Sequence, residues 1–344
     1  LSGTAPLAVD FTDTSTGPAS TWAWDFDADG TVDSTAERPI HIYREPGQYS
    51  VRLTVTNSSG TDSVVRDSLI TVAPGPIASP DDPVMVGAGD IAGCSVLGDE
   101  ATAAIIDGIT GTVFTTGDNV YDDGTAEEFA NCYHPSWGRH LARTRPTVGN
   151  HEYRTANAGP YFDYFGAAAG PPGQGWYSYD LGGWHVVVLN SNCTEIGGCG
   201  AGSAQDSWLQ ADLAASDASC TVALWHHPRF SSGHHGNEAS MAHFWGLLEA
   251  EGTELALVGH DHNYERFAAQ TSTGVASSAG IREIVVGTGG KSLSPLLAAK
   301  PNSEVRDSST PGVLRLTLHA AGYSWEFLPA TMGGFVDAGS DTCH

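Results

Sequence analysis

Positive charge is scarce in this chain. Its 344 residues carry 15 lysines and arginines against 40 aspartates and glutamates, a formal net charge of -25 with histidine neutral. A field of that sign repels phosphate backbones and anionic lipid surfaces over several Debye lengths at low salt, which excludes nucleic acid or a membrane surface as the main partner. Long apolar runs are missing too, and none approaches the roughly 20 residues that span a bilayer. The opening "LSGTAPLAVDF" has neither an initiator methionine nor a signal-peptide core, so the chain is expected to be a mature or trimmed product. No C-x-x-C pair occurs among the six cysteines, a pattern that fits three disulfides better than a structural zinc site. Disulfides imply a secreted or extracytoplasmic location. Cys193 and Cys199 bracket "TEIGG" and could close a small loop, while Cys94 and Cys132 each follow a motif considered below; spacing leaves the connectivity open. The hydrophobic content of 40% is enough to build cores in two domains.

Residues 1–73 read as short alternating strands with turn residues between them: "PLAVDFTDTS", "TWAWDFDADG", "PIHIYREPGQYSVRLTVTNSSG" and "VVRDSLITV". That pattern predicts a small all-β sandwich. The stretch "WAWDFDADG…RPIHIYREPGQYSVRLTVTNSSG" closely resembles the polycystic-kidney-disease (PKD) domain, an immunoglobulin-like module of secreted and cell-surface enzymes. The resemblance implies a contact with polysaccharide or a cell surface, or a spacer. Inside it, Asp25, Asp27, Asp29 and Gly30 form a D-x-D-x-D-G run of the kind that opens a calcium loop, yet the twelfth position is Ala36 where a bidentate glutamate is needed. A polar turn, with Asp33 beside it, is the plainer reading, and calcium at Asp25, Asp27 and Asp29 is the alternative.

"APGPIASPDDP" packs four prolines into residues 73–83 and marks a stiff linker over 74–83. Beyond it, over 84–344, apolar strands alternate with helical segments, which predicts an α/β domain with a sheet covered by helices. The residue after each strand is the informative one. "VMVGAG" ends in Asp90, "TVFTTG" in Asp118 with Tyr121 close behind, "PTVG" in Asn150, His151 and Glu152, "TVALW" in His226 and His227, "ELALVG" in His260, Asp261 and His262. Ligands of open α/β sheets bind outside the carboxyl ends of the strands. Carboxylate, amide and imidazole donors suit transition metals, and there are too many here for one tetrahedral ion. Two metals sharing a carboxylate ionise a bridging water for in-line attack at phosphorus, so hydrolysis of a phosphate ester is the expected chemistry.

"GDIAG", "GDNVY", "GNHE", "WHHP" and "GHDH", in this order, resemble the calcineurin-like metallophosphoesterases and, among them, the purple acid phosphatases. The superfamily begins with D-x-H, but Ala92 stands where that histidine would be; in the purple branch a tyrosinate three residues past the second aspartate replaces it, here Tyr121. The resemblance implies two mixed sheets packed as a sandwich and flanked by helices. It also implies an Fe(III) site of Asp90, Asp118, Tyr121 and His262, and a divalent site (Zn, Fe or Mn) of Asp118, Asn150, His226 and His260. Asp118 bridges them, and a metal-bridging hydroxide attacks small-molecule phosphate monoesters. His151 matches a histidine that touches the phosphate or shuttles a proton, and His234 and His235 of "SSGHHGNE" match a further catalytic pair across a loop one residue shorter. His227, Asp261, Glu265 and Arg266 are expected to support the ligands, the last two as a pair. "IREIVVGTGG", "VLRLTLHA" and "GYSWEFLPA" read as strands completing a second sheet. Two other readings compete: a phosphodiesterase acting on nucleotides or glycerophosphodiesters with the same metal core, and a non-catalytic extracellular binding protein.

Overall fold

The computed structural model describes residues 1–344. Strands Ser2–Thr4, Gly60–Ala73, Gly47–Asn57 and Thr21–Asp25 form one sheet in that order, and Leu7–Asp10 pairs with Ile40–Tyr43 opposite it. Their inward positions, Val9, Phe11, Trp24, Phe26, Tyr43, Val51, Ile70 and Val72, make a small separate core. The Tyr43 hydroxyl donates to the Phe26 carbonyl at 2.9 Å, so the polar end of a buried ring is satisfied.

The larger unit is built on two mixed sheets. One has six strands in the order Thr144–Arg145, Thr112–Thr115, Val84–Ala88, Gly312–His319, Gly322–Pro329, Asp337–Thr342. The other has seven, ordered Tyr177–Leu181, Trp184–Val188, Cys220–Leu224, Leu255–Val258, Arg282–Val286, Tyr264–Phe267, Ser303–Asp307. Alternation within strands distributes the apolar side chains. Val186, Val188, Val222 and Leu255 face the core between the sheets, with Met85, Phe114 and Leu316 opposite. Val187, Ala223 and Ala256 face the other way, toward Leu209, Leu213, Phe244 and Trp245 of helices Ala204–Ala215 and Ala242–Ala250. Both faces of these parallel strands are covered, which is why they read as unbroken apolar runs. Ser203 caps the first of these helices by accepting the Asp206 N–H at 3.1 Å.

One expectation needs correction. The three C-terminal strands do not complete one sheet: Arg282–Val286 joins the seven-stranded sheet, and Gly312–His319 and Gly322–Pro329 join the six-stranded one. A parallel strand beside Leu255–Val258 and an antiparallel hairpin beside Val84–Ala88 look alike in an apolar pattern, because pairing partners lie far away in sequence.

Three disulfides join Cys94 to Cys132, Cys193 to Cys199 and Cys220 to Cys343, leaving no free cysteine. The small β-sandwich packs against the strands Asp337–Thr342 and Gly322–Pro329: Ser340 Oγ of the first donates to the Ala5 carbonyl at 2.8 Å, and Glu326 of the second pairs with Arg44. No helix is long and apolar enough to cross a membrane.

Candidate metal centre

Strand ends of both sheets converge on one polar cluster. Asp90 and Asp118, at 0% and 1% exposure, follow strands of the six-stranded sheet, and the wholly buried His226 follows one of the seven-stranded sheet. Asp90, Asp118 and His260 adopt φ of 57°, 49° and 70°. Left-handed backbone at non-glycine residues costs about 1–3 kcal/mol and persists where the surroundings over-determine it, as at ligand clamps. Close approach also explains a glycine ahead of a donor: a Cβ on Gly149 would stand 2.2 Å from Asp118 Oδ1.

The donors form two groups that share one oxygen. In the first, Tyr121 Oη lies 2.7 Å from Asp90 Oδ1, 3.1 Å from Asp118 Oδ2 and 3.1 Å from His262 Nε2. In the second, His226 Nε2 lies 3.3 Å from the same Asp118 Oδ2, 3.0 Å from Asn150 Oδ1 and 3.2 Å from His260 Nδ1. Six donors about 2.1 Å from a small ion lie roughly 3 Å from each other, so both spacings suit transition-metal coordination.

Tautomers agree with this geometry. His226 Nδ1 donates to the Thr116 carbonyl at 2.8 Å and His262 Nδ1 to the Ser292 carbonyl at 2.8 Å. A carbonyl only accepts, so in each ring Nδ1 is the donor and Nε2 turns inward. With no ion bound, burial opposes charge on His226 and His262, yet Asp118 and Asp90 respectively outweigh it and push both rings up to about 9, so Nε2 also carries a proton toward the carboxylates. A metal ion would take the place of that proton and meet the Nε2 lone pair. Burial, then the charges of Asp118 and Asp90, push the Tyr121 phenol well above its ordinary value. Only a cation against that oxygen makes it a phenolate donor at neutral pH.

Residues 91–264, just over half of the chain, match the family model described as calcineurin-like phosphoesterase. The chain belongs to the calcineurin-like phosphoesterase family. Residues 2–72 match the PKD domain model. Purple acid phosphatase 18 of Arabidopsis thaliana is 33% identical over 121 residues, 33% of this chain and 26% of the relative. Probable inactive purple acid phosphatase 9 of the same plant is 29% identical over 150 residues, 40% of this chain and 22% of the relative. The chain thus matches about a quarter of the length of these curated relatives. A purple acid phosphatase from yellow lupin (Lupinus luteus) seeds shares the fold, with a TM-score of 0.63 at 18% identity, covering 99% of this chain and 70% of that one.

Around the centre of this calcineurin-like phosphoesterase, His151 packs on the Tyr121 ring with centroids 4.3 Å apart, and His235 packs on His260 at 4.1 Å. His234 stands one position outward, its ring 5.4 Å from that of His235. Arg154 donates to His151 Nε2 at 3.3 Å, which leaves Nδ1 as the donor to the Asp122 carbonyl. His227 lies beside the second group, 4.4 Å from His260 between ring centroids, with Nδ1 on Ser191 Oγ at 2.8 Å. Burial, then the neighbouring His226, push it down to about 3. Asp261 accepts N–H from His235 at 2.8 Å and O–H from Ser231 at 2.5 Å, and so holds the loop that carries the histidine pair.

Glu265 and Arg266 do not pair, contrary to expectation. They are neighbours on the strand Tyr264–Phe267 and point to opposite faces. Glu265 accepts from the Ser232 N–H and hydroxyl at 2.7 and 2.6 Å, whereas Arg266 pairs with Asp337 at 2.7 Å away from the centre. Asp25, Asp27 and Asp29 come together near the N-terminus. There Asp25 accepts the N–H of Asp29 and Gly30 at 3.1 and 3.0 Å, Asp29 accepts that of Thr31 at 2.6 Å, and Arg52 lies 3.4 Å from Asp25. That is the bonding of a polar turn.

Sequence reasoning passed over Glu152 as a site residue. Its carboxylate, fully buried, accepts four backbone N–H groups, from Asp118, Asn119, Val120 and Gly149, at 3.2, 2.7, 3.4 and 2.7 Å. It ties the loop of Asp118 to the loop of Asn150. The signal was in "GNHE", an acid two residues past a donor, but its partners are amides with no side-chain signature.

Proposed function

We propose that this protein is a secreted binuclear-metal phosphatase that hydrolyses phosphate monoesters. One observation carries the reading: Asp118 Oδ2 belongs at once to the Asp90–Tyr121–His262 group and to the Asn150–His226–His260 group. A shared carboxylate is what a two-metal centre requires. Asp90, Asp118, Tyr121 and His262 would hold Fe(III), for which a phenolate and two carboxylates are hard donors, and Asn150, His226 and His260 with Asp118 would hold a divalent ion. When bound, the pair supplies Lewis acidity at the phosphoryl oxygens and an ionised water as nucleophile.

The chain's own residues do the rest. Asp118 and Asn150 are kept in register by Glu152, and the outward N–H groups of His226 and His262 prevent their rings from turning. His235, beside His260, would be the imidazole that binds a phosphoryl oxygen or gives a proton to the leaving alkoxide. His151, beside Tyr121 with Nδ1 on the Asp122 carbonyl and Nε2 on Arg154, would frame the same place and act on the phosphate only once Arg154 gives up its Nε2. Three disulfides support an oxidising location.

Elemental analysis of the purified protein should find two ions per chain, and a visible charge-transfer band should disappear in Tyr121→Phe. Hydrolysis of nitrophenyl phosphate should exceed that of bis(nitrophenyl) phosphate by at least tenfold. Fewer than one tightly bound ion per chain would defeat the two-metal reading, and a reversed ester preference would replace monoesterase by diesterase.

A further inference from the structure

Of the two lysines in the chain, Lys291 and Lys300, one stands at the edge of the metal centre. Its main chain is tied there from two sides: the Lys291 N–H donates to the Asp90 carbonyl at 2.9 Å, and the carbonyl of the next residue, Ser292, accepts the N–H of His262 Nδ1 at 2.8 Å. The side chain runs past Gly93, where an added Cβ would stand 3.9 Å from Lys291 Cδ and 3.8 Å from Nζ, and it ends with Nζ 4.4 Å from the centroid of the Tyr121 ring. The ammonium is fixed beside the centre and bonded to none of its donors. Its one hydrogen bond goes to Asp122 Oδ1, at 2.9 Å.

The two members of that pair differ in exposure. The Lys291 side chain is 24% exposed and lies against a buried ring, whereas that of Asp122 is 72% exposed. Exposed ion pairs are worth about 0–1 kcal/mol, so the Asp122 carboxylate loses little by turning back to water. Lys291, held through its main chain, stays where it is. An anion of higher charge that reaches Nζ therefore takes the place of Asp122. A phosphate group is such an anion, with up to two negative charges and several oxygens that accept short, charge-assisted hydrogen bonds from an ammonium. Arg154, the other cation at this edge, is engaged differently: it donates at 3.0 Å to the Asp122 carbonyl, a main-chain acceptor that does not swing away.

We propose that Lys291 is a specificity-determining residue: its ammonium receives a second phosphate that the substrate carries next to the scissile one, and the Asp122 carboxylate holds that place in the free protein and yields it on binding. The inference rests on the reading of the centre as a phosphatase, and it narrows the substrate to esters with adjacent phosphates.

The test uses the metal-loaded full chain. Inhibition constants of adenosine monophosphate and adenosine diphosphate are read against initial rates of nitrophenyl phosphate hydrolysis, so they are defined whether or not either nucleotide is turned over. Lys291→Met removes the charge and keeps most of the stem, Lys291→Arg restores a cation, and Asp122→Asn removes the competing charge while leaving the main chain in place. In Lys291→Met the constant for the diphosphate should rise about tenfold, the worth of one charge-assisted hydrogen bond, while that for the monophosphate and the turnover of nitrophenyl phosphate stay within about twofold of wild type. Lys291→Arg should return the diphosphate constant to within about threefold of wild type. Asp122→Asn should lower it about threefold, because no ion pair has to break before the phosphate binds. A diphosphate constant unchanged in Lys291→Met, equal weakening of both nucleotides, or no gain in Asp122→Asn would each overturn the proposal. Should Lys291→Met fail to fold, the sign of the change in Asp122→Asn decides alone. The phosphatase reading fails differently: a metal-loaded wild type that does not hydrolyse nitrophenyl phosphate defeats that reading and this inference with it, whereas an active enzyme blind to Lys291→Met defeats this inference only.

Discussion

Replacing Glu152 by glutamine changes one oxygen to an amide and should loosen the whole centre. Oε1 accepts the N–H of Asn119 at 2.7 Å and of Val120 at 3.4 Å, and Oε2 accepts those of Asp118 at 3.2 Å and Gly149 at 2.7 Å. A glutamine oxygen serves one of these pairs; its NH2 confronts the N–H groups of the other. Hydrogen bonds to a charged group are each worth about 1.5–3 kcal/mol, and a buried donor left unpaired costs about 1–3 kcal/mol. With relaxation, a net loss of about 2–4 kcal/mol is expected. At about 2–4 °C per kcal/mol for a chain of this size class, the melting temperature should fall by roughly 4–16 °C. The loops of Asp118 and Asn150 supply donors to both ions, so metal content should fall toward one ion or none. Burial and then the Asp118 charge push the Glu152 carboxyl up to about 8, against the amides. A cation at Asp118 removes the second of these pressures, so calorimetry and elemental analysis belong on metal-loaded protein. A variant that melts within a degree of wild type with two ions bound would refute the role given to these amides.

Gly149→Ala should abolish binding of both ions, since its Cβ would meet Asp118 Oδ1 of the carboxylate they share at 2.2 Å; equilibrium dialysis with zinc measures it. Asp261→Asn should keep both ions and lower kcat about tenfold, because it weakens the acceptor of the His235 N–H and frees the histidine loop; unchanged kcat would count against His235. His185 meets Asp212 and Asp180 through its two ring nitrogens, each at 2.9 Å, so both nitrogens donate and the ring is a cation. Asp212 first, then Asp180, raise it above its ordinary value. A raised histidine stabilises fully below the unfolded value of about 6.5 and loses that contribution as pH rises through the folded value. Relative to wild type, His185→Gln should be destabilised by about 1 kcal/mol at pH 5.5 and by less at pH 8.5; a pH-independent difference in denaturant midpoints would contradict this.

What the amino-acid order determines by itself is the kind of donor and its place in the chain. An apolar run that ends in Gly-Asp, Gly-Asn or Gly-His states both the strand and the group at its carboxyl end, since strand period and side-chain chemistry are local properties. Ala92 in place of a histidine and Tyr121 three residues beyond Asp118 are likewise local facts, but it is the resemblance to purple acid phosphatases that makes a phenolate donor the expectation there. Glu265 and Arg266 show the limit: adjacent letters suggested a pair, and the pleat sent them to opposite faces. Tertiary structure alone brings Asp118 Oδ2 between Tyr121 and His226, joins Cys220 to Cys343 across 123 positions, and sets Lys291 on a ring 170 residues away in the chain. It also decides which nitrogen of His226 and His262 faces inward, because the deciding partners are the carbonyls of Thr116 and Ser292. Backbone groups are the same at every residue, so what they hold becomes legible only when the chain is folded.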